Sequence, residues 1–369
     1  MRFCWWLGSL QAIPHQTNGR ALSDIPINRR KFNLALGGLA ASVVVPVLYA
    51  QGRLEKSKVT IAVGGKASLY YLPLTLAEQL GYFKAEGLEV EISDSAGGTS
   101  ALQAVTSGAA DVVCGAYEHT LNLQNKGEFF QAFVLMGRAP QIAMGVSVKS
   151  MPGYHSLVDL KGRKIGVTAP GSSTNMIANL VLARAGLKAS DVSFVGVGSS
   201  GGALSALRSG QIDAISNNDP VMTMLEQKGE VRIIADTRTL KGTMEVFGGP
   251  MPAACLYAPA AFVQKNPSTT QALAHAIVHA LKWLQTAAPS DLMKIVPESY
   301  LLGDRALYLT SFNKIRESIA TDGLFPDEGG KTALRALSSF DQTFRPAKID
   351  LSTTFTNEFA RRAKNRFKV

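Results

Sequence analysis

Short clusters of glycine and hydroxyl residues stand where apolar, strand-like runs end, and such clusters can bind a small anion. Two predicted helices open on them, with Gly97, Gly98, Thr99 and Ser100 in one and Gly171, Ser172, Ser173 and Thr174 in the other. Unpaired N–H groups at a helix start, aided by hydroxyls, bind sulfonate, carboxylate or phosphate-like groups without a lysine. The alternative is that these residues only cap their helices.

Further polar or aromatic residues follow other predicted strands. They are Ser68, Leu69, Tyr70 and Tyr71, then Gly115, Ala116, Tyr117 and Glu118, and finally Asn217, Asn218 and Asp219. Glu118 and Asp219 could accept hydrogen bonds from an ammonium or ring N–H of a ligand. Asp219 could instead cap a helix beginning near Pro220. The tyrosines could stack on a ligand or serve only in packing.

A repeated phrase indicates the elements that position these clusters. ALQAVTSGAAD at 101–111 and ALSALRSGQID at 203–213 share Ala, Leu, Ala, Ser, Gly and Asp in the same places. Each phrase begins with apolar residues at helical spacing, and its glycine suits a helix end. A continuous apolar run, typical of a strand buried on both faces, then follows. Two copies predict two similar α/β layers.

The order of elements predicts an α/β fold with two parallel-sheet lobes, a hinge and a cleft between them. Strands alternate with helices from Lys58, and a second series starts at Lys164. We expect lobe 1 at 58–145, lobe 2 at 146–250, the rest of lobe 1 at 251–345 and a C-terminal helix or tail at 346–369. QIAMGVSVK and AACLYAP are predicted to link the lobes. Ligands bind beyond the carboxyl ends of parallel strands, so the clusters would line the cleft.

The first 50 residues are predicted to be an export signal. Arg29 and Arg30 precede an apolar stretch from Leu34 to Leu48, which is shorter than the roughly 20 residues of a membrane span. The pattern resembles a twin-arginine signal, although Asn28 and Asn33 depart from it and leave an ordinary secretory signal open. A buried N-terminal helix is the alternative, and residues 1–27 could lie upstream of the true start. We expect a periplasmic protein, cleaved near Ala50, without stable membrane insertion.

The distribution of charge and the positions of the cysteines bear on possible partners and on disulfide formation. The formal net charge is +10, but the basic residues are scattered apart from the C-terminal FARRAKNRFKV, so a nucleic-acid partner is not expected. Cys114 and Cys255 stand in apolar, strand-like runs. Export would permit a disulfide between them, but two buried thiols are the simpler interpretation.

Three stretches carry a resemblance to a known family. The three stretches are YYLPLTLAEQLGYFKAEGLEVEI, LVDLKGRKIGVTAPGSSTNMIANLVLARAGLKASDVSFVGVG and SALRSGQIDAISNNDPVMTMLE. They resemble periplasmic binding proteins of the nitrate/sulfonate/taurine class of ABC importers. The resemblance covers about 58–363. It implies a fold like that of periplasmic binding proteins, and a monomer that captures a small-molecule solute and hands it to the transmembrane permease subunits, with no cofactor. Members of the family carry nitrate, bicarbonate, alkyl sulfonates, taurine or thiamine pyrimidines.

Enzymatic alternatives rest on a few residues. GSSGG at 198–202 fits G-x-S-x-G, so a serine hydrolase would use Ser200 with Asp236 and either His275 or His279. The two histidines are four residues apart, a spacing that would let both bind one zinc ion from the same helix face. The sequence offers no third ligand nearby. Fungal enzymes that make the thiamine pyrimidine share the family's fold, with a cysteine-rich motif and a lysine-bound cofactor. This chain has no cysteine cluster, so we expect a binding protein.

Overall fold

A computed structural model describes residues 53–369, so the predicted export signal lies outside the described residues. The strands are β1 (Lys58–Gly64), β2 (Glu89–Ser95), β3 (Val112–Ala116), β4 (Phe130–Leu135), β5 (Ile142–Ser147), β6 (Lys164–Val167), β7 (Ser193–Gly196), β8 (Ala214–Asn218), β9 (Val231–Asp236) and β10 (Ala254–Pro259). Within this part of the chain, no helix is both long and apolar enough to cross a membrane.

The helices cover the sheets and make up most of the C-terminal third. They are α1 (Leu72–Gln79), α2 (Tyr82–Ala85), α3 (Gly98–Thr106), α4 (Glu118–Asn125), α5 (Ser173–Arg184), α6 (Gly201–Ser209), α7 (Val221–Gln227), α8 (Leu240–Phe247), α9 (Ala260–Lys265), α10 (Pro267–Thr286), α11 (Pro289–Ile295), α12 (Arg305–Ile315), α13 (Gly329–Phe340), α14 (Leu351–Thr354) and α15 (Glu358–Phe367).

The strands form two five-stranded sheets, which confirms the predicted two-lobe α/β fold. The first has the order β2-β1-β3-β10-β4 and the second the order β7-β6-β8-β5-β9. In each sheet four strands run parallel, while β10 or β5 runs antiparallel to both of its neighbours. The sheets are therefore mixed rather than purely parallel.

The two segments expected to link the lobes are themselves sheet strands. QIAMGVSVK contains β5, which lies in the second sheet, and AACLYAP contains β10, which lies in the first. The chain passes between the sheets just before each of these strands, in residues 136–141 and 237–253. The predicted lobe boundaries remain a prediction.

The repeated phrase occupies equivalent places in the two lobes. It forms α3 and β3 in the first lobe and α6 and β8 in the second, with Gly108 and Gly210 at positive φ between helix and strand. Each of these strands lies beside the antiparallel strand of its sheet, and each is buried along its whole length. The phrase is repeated because each lobe needs the same buried layer.

The C-terminal helices contact both lobes. The long helix α10 packs on α1, α2 and α15 over the first sheet. Helix α12 packs against α7 of the second lobe, and α13 packs against both α4 and α5. The walls of the space between the lobes therefore include α13 as a third element.

The two cysteines of the described region are free and buried. In the pairing of β3 with β10, Cys114 stands opposite Leu256, whereas Cys255 stands opposite Gly115. Side chains alternate between the faces of a strand, so the two thiols project from opposite faces of the sheet. This arrangement supports two buried thiols rather than a disulfide.

The end of β1 approaches the start of α3 so closely that only glycine fits. A Cβ on Gly64 would lie 2.2 Å from the backbone carbon of Gly97 and 2.2 Å from the nitrogen of Gly98. Both contacts are with backbone, which cannot rotate away as a side chain would. The absence of a side chain at Gly64 thus sets where the first turn of α3 lies.

We expect Gly64→Ala to lower the free energy of unfolding by about 1–3 kcal/mol, because the added methyl group must displace α3. Urea unfolding of the purified protein measures the change. Gly153→Ala is the matched control, since a Cβ there has no atom within 4 Å and no positive φ is involved. Equal stability of the two variants would contradict the prediction.

Candidate functional site

A small cavity lies between the two lobes at the carboxyl ends of the parallel strands. Its volume, measured as the space open to the centre of a water-sized sphere, is about 20 Å³, which is enough for about one water molecule. Its lining comes from both lobes and consists of Gly64, Tyr70, Tyr71, Gly98 and His119 on one side and Ile142, Thr168, Ser172, Ser173, Thr174 and Asn218 on the other. Seven of the residues proposed from the sequence are among them: Tyr70, Tyr71, Gly98, Ser172, Ser173, Thr174 and Asn218. Asn217, which precedes Asn218 in β8, was also proposed from the sequence but does not line the cavity.

Two hydrogen bonds join the lobes beside this cavity. The Thr99 hydroxyl donates to the carbonyl of Pro170 at 2.9 Å. The N–H of Leu69 donates to the carbonyl of Asp219 at 3.0 Å. Gly171, next to the first of these bonds, has a φ of +80° and lies against Thr99 rather than in the cavity. The lobes are thus in direct contact beside the cavity.

Two helix starts proposed from the sequence lie at this cavity, because Gly98 and Ser173 are both among its lining residues. Helices α3 and α5 begin at Gly98 and Ser173, and neither has a side-chain hydrogen bond capping its first turn. The first N–H groups of a helix have no partner within the helix, and they carry a partial positive charge. They are available to a ligand.

Three of the hydroxyl groups mainly hold the loop in shape. Thr174 Oγ1 accepts from the Thr168 N–H at 2.9 Å, and Ser172 Oγ lies 3.0 Å from Thr168 Oγ1 and 2.8 Å from Thr174 Oγ1. Ser68 has a similar local role, since its Oγ accepts from the Tyr70 N–H at 3.2 Å. These contacts fix the loops whose N–H groups face the cavity.

Tyr70 and Tyr71 form the aromatic wall of the cavity. Their rings meet edge to face with centroids 4.8 Å apart, and both side chains are buried. The hydroxyl of Tyr70 has no hydrogen-bond partner among the described residues. A buried hydroxyl without a partner is costly, so this one is well suited to bind a polar ligand.

His119 lines the cavity although the sequence interpretation missed it. The ring is 4% exposed, its Nδ1 lies 2.9 Å from the Tyr257 hydroxyl, and its Nε2 has no partner in the described region. Burial lowers the pKa of His119 to about 4, so the ring is neutral at neutral pH. Its place three residues beyond the end of β3, next to the predicted ligand residue Glu118, was the signal that could have revealed it.

Glu118 lies beside the cavity, at the start of α4. The side chain is 2% exposed, and its Oε1 has no partner in the described part of the chain. Burial raises the pKa of Glu118, while the Ser173 hydroxyl across the cleft opposes the shift. A neutral carboxyl group can donate a hydrogen bond as well as accept one.

Three other predicted ligand residues serve the structure instead. The Tyr117 hydroxyl lies 2.7 Å from Thr354 Oγ1, and its ring packs on two phenylalanines away from the cavity. The Asn217 amide donates to the Gly198 carbonyl at 2.9 Å. Asp219 Oδ1 accepts from the N–H of Thr223 at 2.7 Å, which is the alternative capping role foreseen for it.

The hydrolase alternative has no support in the geometry. Ser200 is exposed at the start of α6, whereas the Asp236 carboxylate pairs with Arg238. His275 Nδ1 lies 3.0 Å from Glu86, and His279 stacks on Tyr82. Asp236 and the two histidines each contact other residues, so no triad with Ser200 forms. Within residues 53–369 no three or more His, Cys, Asp or Glu side chains are grouped to hold a metal.

Comparisons with known proteins agree with this geometry. The family described as NMT1/THI5 like matches residues 68–289. A solved protein of Bordetella bronchiseptica RB50 is 60% identical, with a TM-score of 0.85, and the alignment covers 86% of this chain and 100% of that one. The alkanesulfonate-binding protein SsuA of Xanthomonas axonopodis pv. citri, solved with MOPS, has a TM-score of 0.62 at 18% identity over 82% of this chain and 99% of that chain.

A biosynthetic enzyme is also similar over a shorter stretch. The 4-amino-5-hydroxymethyl-2-methylpyrimidine phosphate synthase of Schizosaccharomyces pombe is 28% identical over 113 residues. This match covers 31% of the present chain and 32% of the enzyme. It relates part of the two chains and does not extend over the whole enzyme.

We expect the stability of the protein to fall as pH drops, partly because of His119. Its pKa is about 4 in the folded protein against 6.5 in a free side chain. Between these values only the unfolded chain binds the proton, so the free energy of unfolding falls by about 1.4 kcal/mol per pH unit. Urea unfolding between about pH 7 and pH 5 measures the slope, which should be shallower in His119→Gln.

Glu118 acts in the opposite direction, because its raised pKa favours the folded state as pH falls. Glu118 is present in both the unsubstituted protein and His119→Gln. The difference between their slopes of unfolding free energy against pH therefore reports on His119 alone. Identical slopes in the two proteins would show that His119 does not resist protonation.

Proposed function

The chain belongs to the NMT1/THI5-like family, in agreement with the resemblance found in the sequence, and on that premise we propose that it is the extracytoplasmic solute-binding component of an ABC importer. It captures a small anionic or zwitterionic solute of the sulfonate, taurine or nitrate type in the interlobe cavity. It then delivers this solute to the permease as a monomer. The predicted export signal and the fold shared with an alkanesulfonate-binding protein support this role.

One observation carries the proposal: the uncapped starts of α3 and α5 meet at a cavity whose lining contains unpartnered polar groups. None of the eleven lining residues is a lysine or arginine. An anion bound here is held by N–H groups and by neutral donors such as Tyr70 and Ser173. Charge-assisted hydrogen bonds contribute about 1.5–3 kcal/mol each, so several suffice for micromolar affinity, which requires about 8 kcal/mol.

His119 supplies a further donor in this proposal. When the Tyr257 hydroxyl donates to Nδ1, the ring proton resides on Nε2, which faces the cavity. A neutral ring with its proton there donates to an anion without bringing a charge into the buried site. The hydrogen bond from Tyr257 therefore selects the tautomer that suits an anionic ligand.

The ligand would also control closure. Its contacts come from both lobes, so it binds the closed arrangement more tightly than an open one and shifts the population toward closure. A permease that docks on both lobes would then distinguish loaded from empty protein. The crossings at 136–141 and 237–253 are the segments about which the lobes would rotate.

A thermal-shift screen of the purified protein tests the proposal. We expect one class among nitrate, bicarbonate, sulfonates, taurine, carboxylates and thiamine pyrimidines to raise the melting temperature, with about 2.7 kcal/mol of stabilisation at 100-fold over Kd. Failure of every class to bind, together with ester hydrolysis that is lost in Ser200→Ala, would replace the proposal with the hydrolase alternative.

Variants at helix starts locate the site. We expect Ser173→Ala to weaken binding of the solute found in the screen by about tenfold, because it removes one hydroxyl from the cavity wall. Ser200→Ala is the matched control, a serine at the start of another helix of the second lobe that does not line the cavity. Calorimetric titration gives both affinities, and equal losses in the two variants would place the ligand elsewhere.

A further inference from the structure

A second space adjoins the interlobe cavity and is rich in asparagine. It lies between α4, α5 and α13, and we name it the asparagine annex for four of its lining residues, Asn122, Asn125, Asn175 and Asn179. Its volume, measured as the space open to the centre of a water-sized sphere, is about 310 Å³. Because α4 belongs to the first lobe and α5 to the second, the annex is complete only when the lobes are together.

The annex and the cavity share two wall residues. His119 and Ser172 line both spaces, so the histidine ring stands at the boundary between them. A molecule bound at the helix starts in the cavity therefore needs only a short chain to pass this boundary. The two spaces together could hold one extended ligand.

Two asparagines of α5 offer unused hydrogen-bonding atoms. Asn175 is 9% exposed, its Oδ1 accepts from the Gly171 N–H at 2.8 Å, and its buried Nδ2 has no partner in the described region. The buried Oδ1 of Asn179 also has no partner there. Residues four apart lie on the same face of a helix, so an unused donor and an unused acceptor stand side by side.

The rest of the annex is suited to a short carbon chain. Leu123, Met176 and Phe340 line it with apolar surface. Its charged residues are one of each sign: Lys126 is exposed, and the Asp341 carboxylate already accepts from the N–H of Thr343 at 2.8 Å. The annex therefore has no excess of charge and favours an uncharged polar group over a second ion.

We propose that the asparagine annex binds the far end of the solute, and that this end is a carboxamide or a hydroxyl group. Either group both donates and accepts, as the amides of Asn175 and Asn179 require. The solute is then an anion whose short chain ends in such a group, rather than a bare inorganic ion. This inference rests on the proposed function, because the anionic head is taken to lie at the starts of α3 and α5.

Matched ligands test the inference by calorimetric titration of the purified full chain. The probes are propanesulfonate and butanoate, each compared with its derivatives carrying a terminal hydroxyl or a terminal carboxamide. We expect a carboxamide derivative to bind about tenfold more tightly than its parent anion, since it gains two hydrogen bonds to groups otherwise unpaired. Asn179→Leu should abolish this preference and leave the affinity for the parent anion unchanged.

Asn313→Leu is the control for the substitution itself, because Asn313 is an exposed residue of α12 outside the annex. It should leave the preference intact. If Asn179→Leu does not fold, Asn179→Ala replaces it, with folding checked by thermal unfolding. The annex proposal would be wrong if the parent anions bound as tightly as their derivatives, or if the preference survived loss of the Asn179 amide. Either result would leave the proposed function standing. If neither parents nor derivatives bind, the annex and the anion-binding function both fail.

Discussion

The insertion of β10 into the first sheet and of β5 into the second is the constraint on which the rest of the structure depends. Each of these strands lies inside its sheet, between β8 and β9 or between β3 and β4, and not at an edge. Buried backbone groups must be hydrogen-bonded, so neither sheet is complete until the chain has crossed from the other lobe. The first sheet in particular needs residues 254–259, which lie more than a hundred positions beyond β3. The two chain crossings that complete the sheets are therefore also the segments that connect the lobes.

This arrangement brings the carboxyl ends of two sheets to face each other. The helix starts at those ends cannot satisfy all of their own N–H groups, and the lobes close them off from bulk water. Most polar groups in the loops find local partners, as Thr168, Ser172 and Thr174 do. Among the buried side chains that do not, Tyr70 and His119 line the cavity and Glu118 lies beside it. Their unused polar atoms are the feature that suits this cavity to a polar ligand.

A buried arginine stabilises the wall of the cleft from behind. The fully buried guanidinium of Arg238 lies 3.6 Å from Asp219 and 2.9 Å from Glu226. Burial raises the pKa of Asp219, and the positive charge of Arg238 opposes that shift. The carbonyl of the same aspartate accepts the N–H of Leu69 from the other lobe. Arg238 follows β9, at the start of the second crossing, so the charge cluster links the hinge to a contact between the lobes.

Sequence patterns were sufficient to predict the alternation of helices and strands and the division into two similar α/β lobes. Local spacing of apolar residues and the glycines at 108 and 210 predicted the repeated helix and strand, because these signals act within a few residues. Six cavity residues were found in the same way, as hydroxyls, tyrosines and glycines at strand ends. The roles of three other residues became clear only from the fold: Tyr117 packs in the interior, Asp219 caps a helix and His119 lines the cavity. These roles depend on partners such as Thr354, Arg238 and Tyr257, which lie far away in the chain, and no local pattern records them.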